Sequence, residues 1–307
     1  MSILKKIFSV TNSNDKSSKI ITLLGCSLKL KNNSIKNLLR EQKIETVHAV
    51  QRTISTAILH QKTFLPYKNY YRGKDLVIVG AGPTLNKFEP IENSIYIGCN
   101  RVFLFNKIHF DYLFTIDKVG IEQYWQDFLE YSGNNCIKFI GDQNLGEHFQ
   151  IPESYILKFP EGKIRRYKTG MGYLPDKFEL DIDTMPLANG SSVALQAVQF
   201  ALYTNPKRIF IVGVDCTVAQ KKHFVGTSYD NSKRNESAKE CDDYNILMWQ
   251  KFKNFAKIYY PETELISVNP IGLKGLFKDV YTKSYIEEHS ELKNELKSNL
   301  IYLENLK

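Results

Sequence analysis

The chain has 307 residues, 43% hydrophobic and 24% charged, with a formal net charge of +8, a composition that supports a substantial core and excludes disorder as the dominant state. The charge is uneven: residues 1–74 hold 14 Lys/Arg and 3 Asp/Glu, against 27 and 30 in the rest, so the whole positive excess lies in the N-terminal quarter. A basic extension on a near-neutral body suits either an anionic surface partner or a merely solvated face, and with few aromatics interleaved it argues against a nucleic-acid role.

In chain order, the polar run 11–19 reads as a linker, and 20–31 as two short strands around Gly25, forming a hairpin. From Ile35 to Ile58 apolar residues recur at helical spacing, with Lys36, Arg40, Lys43 and Arg52 among them, which predicts an amphipathic basic helix interrupted near Glu45. Such a helix docks on the body, pairs with a second subunit in a homo-oligomer, or lies on an anionic membrane. From Lys74 the pattern becomes alternating. Strands are expected at Leu76–Val79, Ile95–Gly98, Tyr112–Ile116, Cys136–Ile140, Arg208–Val212 and Glu264–Ser267. Helices are expected at Arg101–Asn106, Ile121–Tyr131, Ser191–Tyr203, Asp242–Tyr259 and Ile286–Leu306. Short apolar strands interleaved with helices predict an α/β fold, Rossmann-like, with a mostly parallel sheet covered by helices on both faces. Three regions result: a basic extension over 1–73, an α/β body over 74–282 with a proline-bearing insertion or lid at 141–188, and a C-terminal helix over 283–307 that packs on the sheet or serves as an oligomerisation arm.

Five scattered cysteines without a C-x-x-C pair read as reduced thiols and predict no metal site. No stretch reaches the ~18 apolar residues of a spanning helix, and Met1–Val10 is too short for a signal-peptide core. The expected location is cytoplasmic, with peripheral contact at the inner face of the membrane as one reading of the basic extension.

The strongest local feature is a buried strand running into Gly80-Ala81-Gly82-Pro83-Thr84, where glycines let backbone approach a phosphate and a helix start offers free N–H groups. A third glycine and a Walker lysine are both missing, so the loop does not specify a nucleotide. Asn100 and Arg101 follow the second strand, and Asp117 ends the third. Ligands in open α/β sheets bind beyond the carboxyl ends of strands; the alternative is that Asn100 and Asp117 cap helices. Gly190, Ser191 and Ser192 open a helix apolar nearly all round, a second anion site by its N-terminus. The strand after it ends in Gly213-Val214-Asp215, and His223 follows in the exit loop. A neutral imidazole there can take a hydroxyl proton. The other five histidines are expected at the surface.

Taken together, Gly-x-Gly-Pro-Thr-Leu, Cys-Asn with a following Phe, the small-Gly-Ser helix start, Gly-Val-Asp and a downstream histidine resemble the bacterial lipooligosaccharide sialyltransferases. The pattern is also similar to the related domain of flagellar motility-accessory factors, nonulosonate glycosyltransferases, and to the archaeal pterin pyrophosphokinase. The resemblance covers about residues 74–270. It implies nucleotide binding by Gly80, Gly82, Pro83, Thr84, Asn100, Gly190, Ser191 and Ser192, tyrosine hydroxyls on the departing phosphate, a histidine base, and no metal in the chemistry. Two departures stand out: the family's His-Tyr-Ile-Gly-His reads His223-Phe224-Val225-Gly226-Thr227 here, and Asp117 replaces an asparagine.

The reading that follows is transfer of a sugar from a nucleotide-activated donor, a CMP-linked nonulosonate or similar, to a cell-surface glycan or lipid-linked acceptor, with no cofactor required. Gly80–Thr84, Asn100, Arg101, Gly190–Ser192 and Asp215 would bind the nucleotide. Arg165, Arg166 and Tyr167 are candidate donors to the leaving phosphate, and His223 or Asp117 is the acceptor base. Two alternatives are an ATP- and Mg²⁺-dependent pyrophosphokinase with Asp117 and Asp215 on the metal, and a non-catalytic nucleotide-binding scaffold.

Overall fold

The computed structural model describes residues 8–13, 18–24, 26–116, 124–133, 135–142, 163–170, 177–189, 192–217 and 235–306. The chain divides into two compact units, Met1–Ser55 and Thr56–Lys307.

The first unit holds an antiparallel three-stranded sheet of β1 (Phe8–Asn12), β2 (Ser18–Leu23) and β3 (Cys26–Lys31), in that order. The expected hairpin is β2–β3, paired from Ser18↔Lys31 to Leu23↔Cys26. The expected linker is partly strand, because Thr11 and Asn12 pair with Ile20 and Lys19. Helix α1 (Asn32–Phe64) begins in this unit and ends in the second. It has no break near Glu45. No glycine or proline occurs between Asn32 and Phe64, and the helix stops just before Pro66, whose ring disfavours helical backbone at the preceding residue.

Among the described residues of the second unit eight strands form one sheet, β4 (Asp75–Val79), β5 (Ile95–Cys99), β6 (Tyr112–Thr115), β7 (Ile137–Asp142), β8 (Ile164–Lys168), β9 (Arg208–Val212), β10 (Glu264–Val268) and β11 (Lys278–Val280). Their spatial order is β11-β10-β9-β4-β5-β6-β7-β8, and every neighbouring pair is parallel. Runs such as Leu76–Val79 and Ile209–Val212 are buried throughout, as strands covered on both faces must be. Successive side chains alternate between faces. Leu76 and Ile78 join a cluster with helix α3 (Val193–Tyr203) and with Trp249 and Phe252 of α4 (Asn235–Tyr259). Val77 and Val79 join the other, with Phe128 and Leu129 of α2 (Trp125–Glu130) and Leu303. The α/β architecture expected from the sequence is therefore present.

Three details differ. The stretch 141–188, expected as an insertion, supplies edge strand β8 and the last residues of β7. Two expected helices, after Pro83 and from Arg101, are five-residue 3-10 turns at Pro83–Lys87 and Asn100–Leu104. The expected C-terminal helix is divided into α5 (Lys283–Glu288), α6 (Ser290–Leu296) and 3-10 turns at Lys297–Asn299 and Leu303–Leu306. Lys297 takes a positive φ of 46°, the chain reverses, and Tyr302 bridges to Tyr281 while Leu303 enters the core. Burial of Leu303 and the bridge outweigh continuation of a marginal exposed helix.

Candidate functional site

Strands β4 to β8 progress toward one edge of the sheet, and β9 to β11 toward the other. The winding reverses between β4 and β9, and at such a reversal the two exit loops diverge to leave a crevice at the carboxyl ends. Here the loops first run together for a few residues. The Gly80 N–H donates to the Val212 carbonyl at 2.8 Å and the Gly82 N–H to the Gly213 carbonyl at 2.7 Å. A Cβ on Gly80 would lie 2.5 Å from the Gly213 oxygen, and one on Gly213 would lie 2.5 Å from the Gly80 oxygen. Gly213 also sits at φ +63°, which favours glycine.

Asp215, only 6% exposed, fastens the two loops. Its Oδ2 accepts from the Thr84 amide at 3.1 Å and its Oδ1 from the Thr84 hydroxyl at 2.5 Å. Burial raises the carboxyl pKa, and the two Thr84 bonds pull it back down. The Gly82 and Thr84 amides are thus engaged within the protein, and Pro83 has none to offer. The glycine loop's rigidity and shape come from β9. Replacing Thr84 with valine removes one bond and strands a buried carboxylate oxygen, so a loss of about 2 kcal/mol is expected in urea unfolding; an unchanged midpoint would show that Asp215 does not hold this loop.

Beside this pair, Asn100 closes β5 in the left-handed region at φ 54°, a conformation asparagine tolerates. Its Oδ1 accepts from the Thr115 hydroxyl at the end of β6, at 3.0 Å. Arg101 next to it is buried. Helix α3 packs on β4, β5 and β6 and feeds the amino end of β9, so it runs against the strands and its first residues lie at the carboxyl edge. Ser192 is its N-cap residue, without a side-chain capping bond. Tyr285 of α5 is nearby: its hydroxyl pKa is raised by burial first and then by the Asp215 charge.

Gly80, Gly82, Pro83, Thr84 and Asp215 therefore meet at one point, with Asn100, Arg101 and Ser192 on adjoining strand and helix ends. Asp117, Gly190, Ser191 and His223 lie outside the described residues. Tyr167 does not face a ligand: it is fully buried and its hydroxyl donates to Gln196 Oε1 at 2.6 Å. Arg165 is turned toward α1, where Nη1 donates to the Lys62 carbonyl at 2.8 Å and the guanidinium lies over the Tyr67 ring. Among the described residues no group of three His, Cys, Asp or Glu side chains could hold a metal ion, and no helix is long and apolar enough to cross a membrane.

Two residues unnoticed in the sequence shape the approach to α3. Gln196 Nε2 donates to the Asn189 carbonyl at 3.3 Å, and Gln199 both accepts from the Ala188 amide at 2.9 Å and donates to the Ala188 carbonyl at 3.2 Å. Both side chains are buried. Two glutamines three apart in an otherwise apolar helix were the available signal, since buried amides need partners.

These features define an open, doubly wound parallel α/β protein with its candidate site at the strand-order reversal. No family model and no curated protein matches the chain significantly. Among solved structures it is similar to the sialyltransferase CstII from Campylobacter jejuni, in complex with a substrate analogue, cytidine-5'-monophosphate. The identity is 15% and the TM-score 0.37, over 64% of this chain and 80% of that one. A likeness this loose fixes no residue correspondence.

Proposed function

We propose that this chain is a glycosyltransferase that binds a nucleotide-activated sugar at the β4–β9 reversal and passes the sugar to a glycan or lipid-linked acceptor. The observation that carries the reading is convergence: Gly80–Thr84, Asn100 and Asp215, the last bonded to Thr84 across 131 residues, end on the same carboxyl edge, where an open parallel sheet offers its ligand crevice. The sequence pattern of the sialyltransferases uses the same segments, which favours a cytidine-linked donor.

In this reading the Asn100 side chain and the partly exposed residues Ala81–Pro83 contact the nucleotide. The amide groups at the start of α3 meet the phosphate, with dipole and free N–H groups favouring the anion. Asp215 acts as a positioning residue through Thr84. Tyr285 is a described tyrosine whose hydroxyl feels this carboxylate's charge, and it is a candidate hydrogen-bond donor to the leaving phosphate. His223, or Asp117, takes the acceptor proton as the sugar leaves the phosphate. Full activity in both His223→Ala and Asp117→Ala would remove that assignment.

The test is thermal unfolding with CMP, CDP, CTP, UDP, GDP and ATP, each with Mg²⁺ and with EDTA. CMP near 100 times its dissociation constant is expected to add about 2.7 kcal/mol, a shift of a few degrees in a chain this size, and to do so with EDTA present. A shift for ATP alone that requires Mg²⁺ would overturn the proposal in favour of phosphoryl transfer; no shift with any nucleotide would overturn nucleotide binding itself.

A further inference from the structure

We infer that the first unit is a docking surface for an anionic lipid bilayer, an inference independent of the activity proposed above. Among the described residues of Met1–Ser55 no apolar side chain is buried; Ser13 and Ser18 are the buried residues there. All residues of α1 from 37 to 55 are exposed. Leu38, Leu39, Val47, Val50 and Ile54 are each 46–60% exposed, and Leu23 and Leu28 of the small sheet are similar. A helix in a protein takes most of its stability from burying its apolar side, and a small sheet needs a covered apolar face. Both elements lack that cover within the unit.

Charge selects what supplies it. Residues 1–55 contain 10 Lys/Arg and 3 Asp/Glu. At 3.6 residues per turn, Arg40 and Lys43 fall on the same side of α1 as Leu39, Val47, Val50 and Ile54, whereas Glu41 and Glu45 fall on the opposite side with Arg52. The sheet adds exposed Lys19 and Lys29. One side of the helix therefore joins aliphatic groups to positive charge alone. A second copy would set like charges against one another. A bilayer of anionic lipid answers both features, with acyl chains for the aliphatic residues and headgroup phosphates for the cations, whose long stems reach the interface.

The experiment sediments the full chain with vesicles of phosphatidylglycerol and phosphatidylcholine, and with phosphatidylcholine alone, at low and high salt. Binding is expected to the anionic vesicles and to weaken with salt. Arg40→Ala with Lys43→Ala should weaken it about 30-fold, at about fivefold per basic residue. Val50→Glu with Ile54→Glu should abolish it while the far-UV circular dichroism of the full chain keeps its helical signal, which shows that α1 of the variant still forms. Equal binding to both vesicle types, or none to the anionic ones, overturns the proposal. So does a dimeric mass in light scattering that Val50→Glu with Ile54→Glu returns to monomer while vesicles pellet nothing, an outcome that gives the face to a second copy.

Discussion

Gly82→Ala is expected to lower stability by about 3 kcal/mol and, under the proposed function, to abolish the thermal shift expected with CMP. Gly82 has ordinary extended backbone, φ −69° and ψ 155°, so conformational freedom is not what requires glycine here. Space is. A Cβ at this position would run into the Asp215 carboxylate and lie 2.7 Å from the Gly213 carbonyl oxygen. Both belong to the exit of β9, and neither can retreat cheaply: the carboxylate is held by two Thr84 bonds and the carbonyl accepts the Gly82 amide. Overpacking of this kind typically costs 1–3 kcal/mol, and displacing a buried charged acceptor from its donors adds to that. Urea unfolding reads the loss. A double-mutant cycle tests its cause, because in an Asp215→Ala background the alanine at position 82 meets one obstacle fewer and should cost less. A change within ~0.5 kcal/mol of wild type would mean that the loops separate readily and that the crevice is not built by their contact.

This contact also shows where sequence reading stops. The Gly-x-Gly pattern is legible as a sign of close backbone approach, but the sequence does not say which part of the protein comes close. In the structure the backbone of Gly213 and the side chain of Asp215 lie against it. That pairing depends on β4 lying next to β9, a neighbourhood created by the return of the chain across the sheet after β8. Nothing local encodes it. Strands β4, β5, β6, β9 and β10 were readable because they are apolar runs buried on both faces. Strand β8 was not: Ile164-Arg165-Arg166-Tyr167-Lys168 lies at an edge and buries only Tyr167, so it carries charge where an interior strand would carry valine. The small polar starts of α3 and the Asn100 turn were found by residue type alone. Their supports, Gln196, Gln199 and Thr115, were missed because each acts through a partner set by tertiary structure.

His60 was expected at the surface with the other histidines, and the structure buries it completely. Its Nε2 accepts from the Lys168 amide at 2.7 Å, so the proton of the neutral ring must sit on Nδ1, which donates to the Ile182 carbonyl at 2.7 Å. The imidazole thus ties the last turns of α1 to β8 and to the segment before α3, with its edge against Phe64. Protonation would place a second N–H against the Lys168 N–H in a site closed to solvent. Burial is the main cause of a pKa lowered to about 4; the Lys168 charge also lowers it, while the Ile182 and Met185 carbonyls and Asp183 oppose the shift. The sign follows from comparison with the unfolded value of 6.5. Between the two, the unfolded chain holds a proton that the folded chain refuses, so stability falls as the pH drops. The contribution is complete above 6.5, and roughly 3 kcal/mol is lost by the time the pH reaches the folded value. His60→Ala should cost about 4 kcal/mol at neutral pH, from the cavity and two backbone groups left unpaired. It should also flatten the acid dependence of the urea midpoint between about pH 7 and about pH 4.5. The second effect separates this account from simple loss of packing: a variant with lower stability but an unchanged acid slope would show that the buried ring is not the group whose protonation opposes folding.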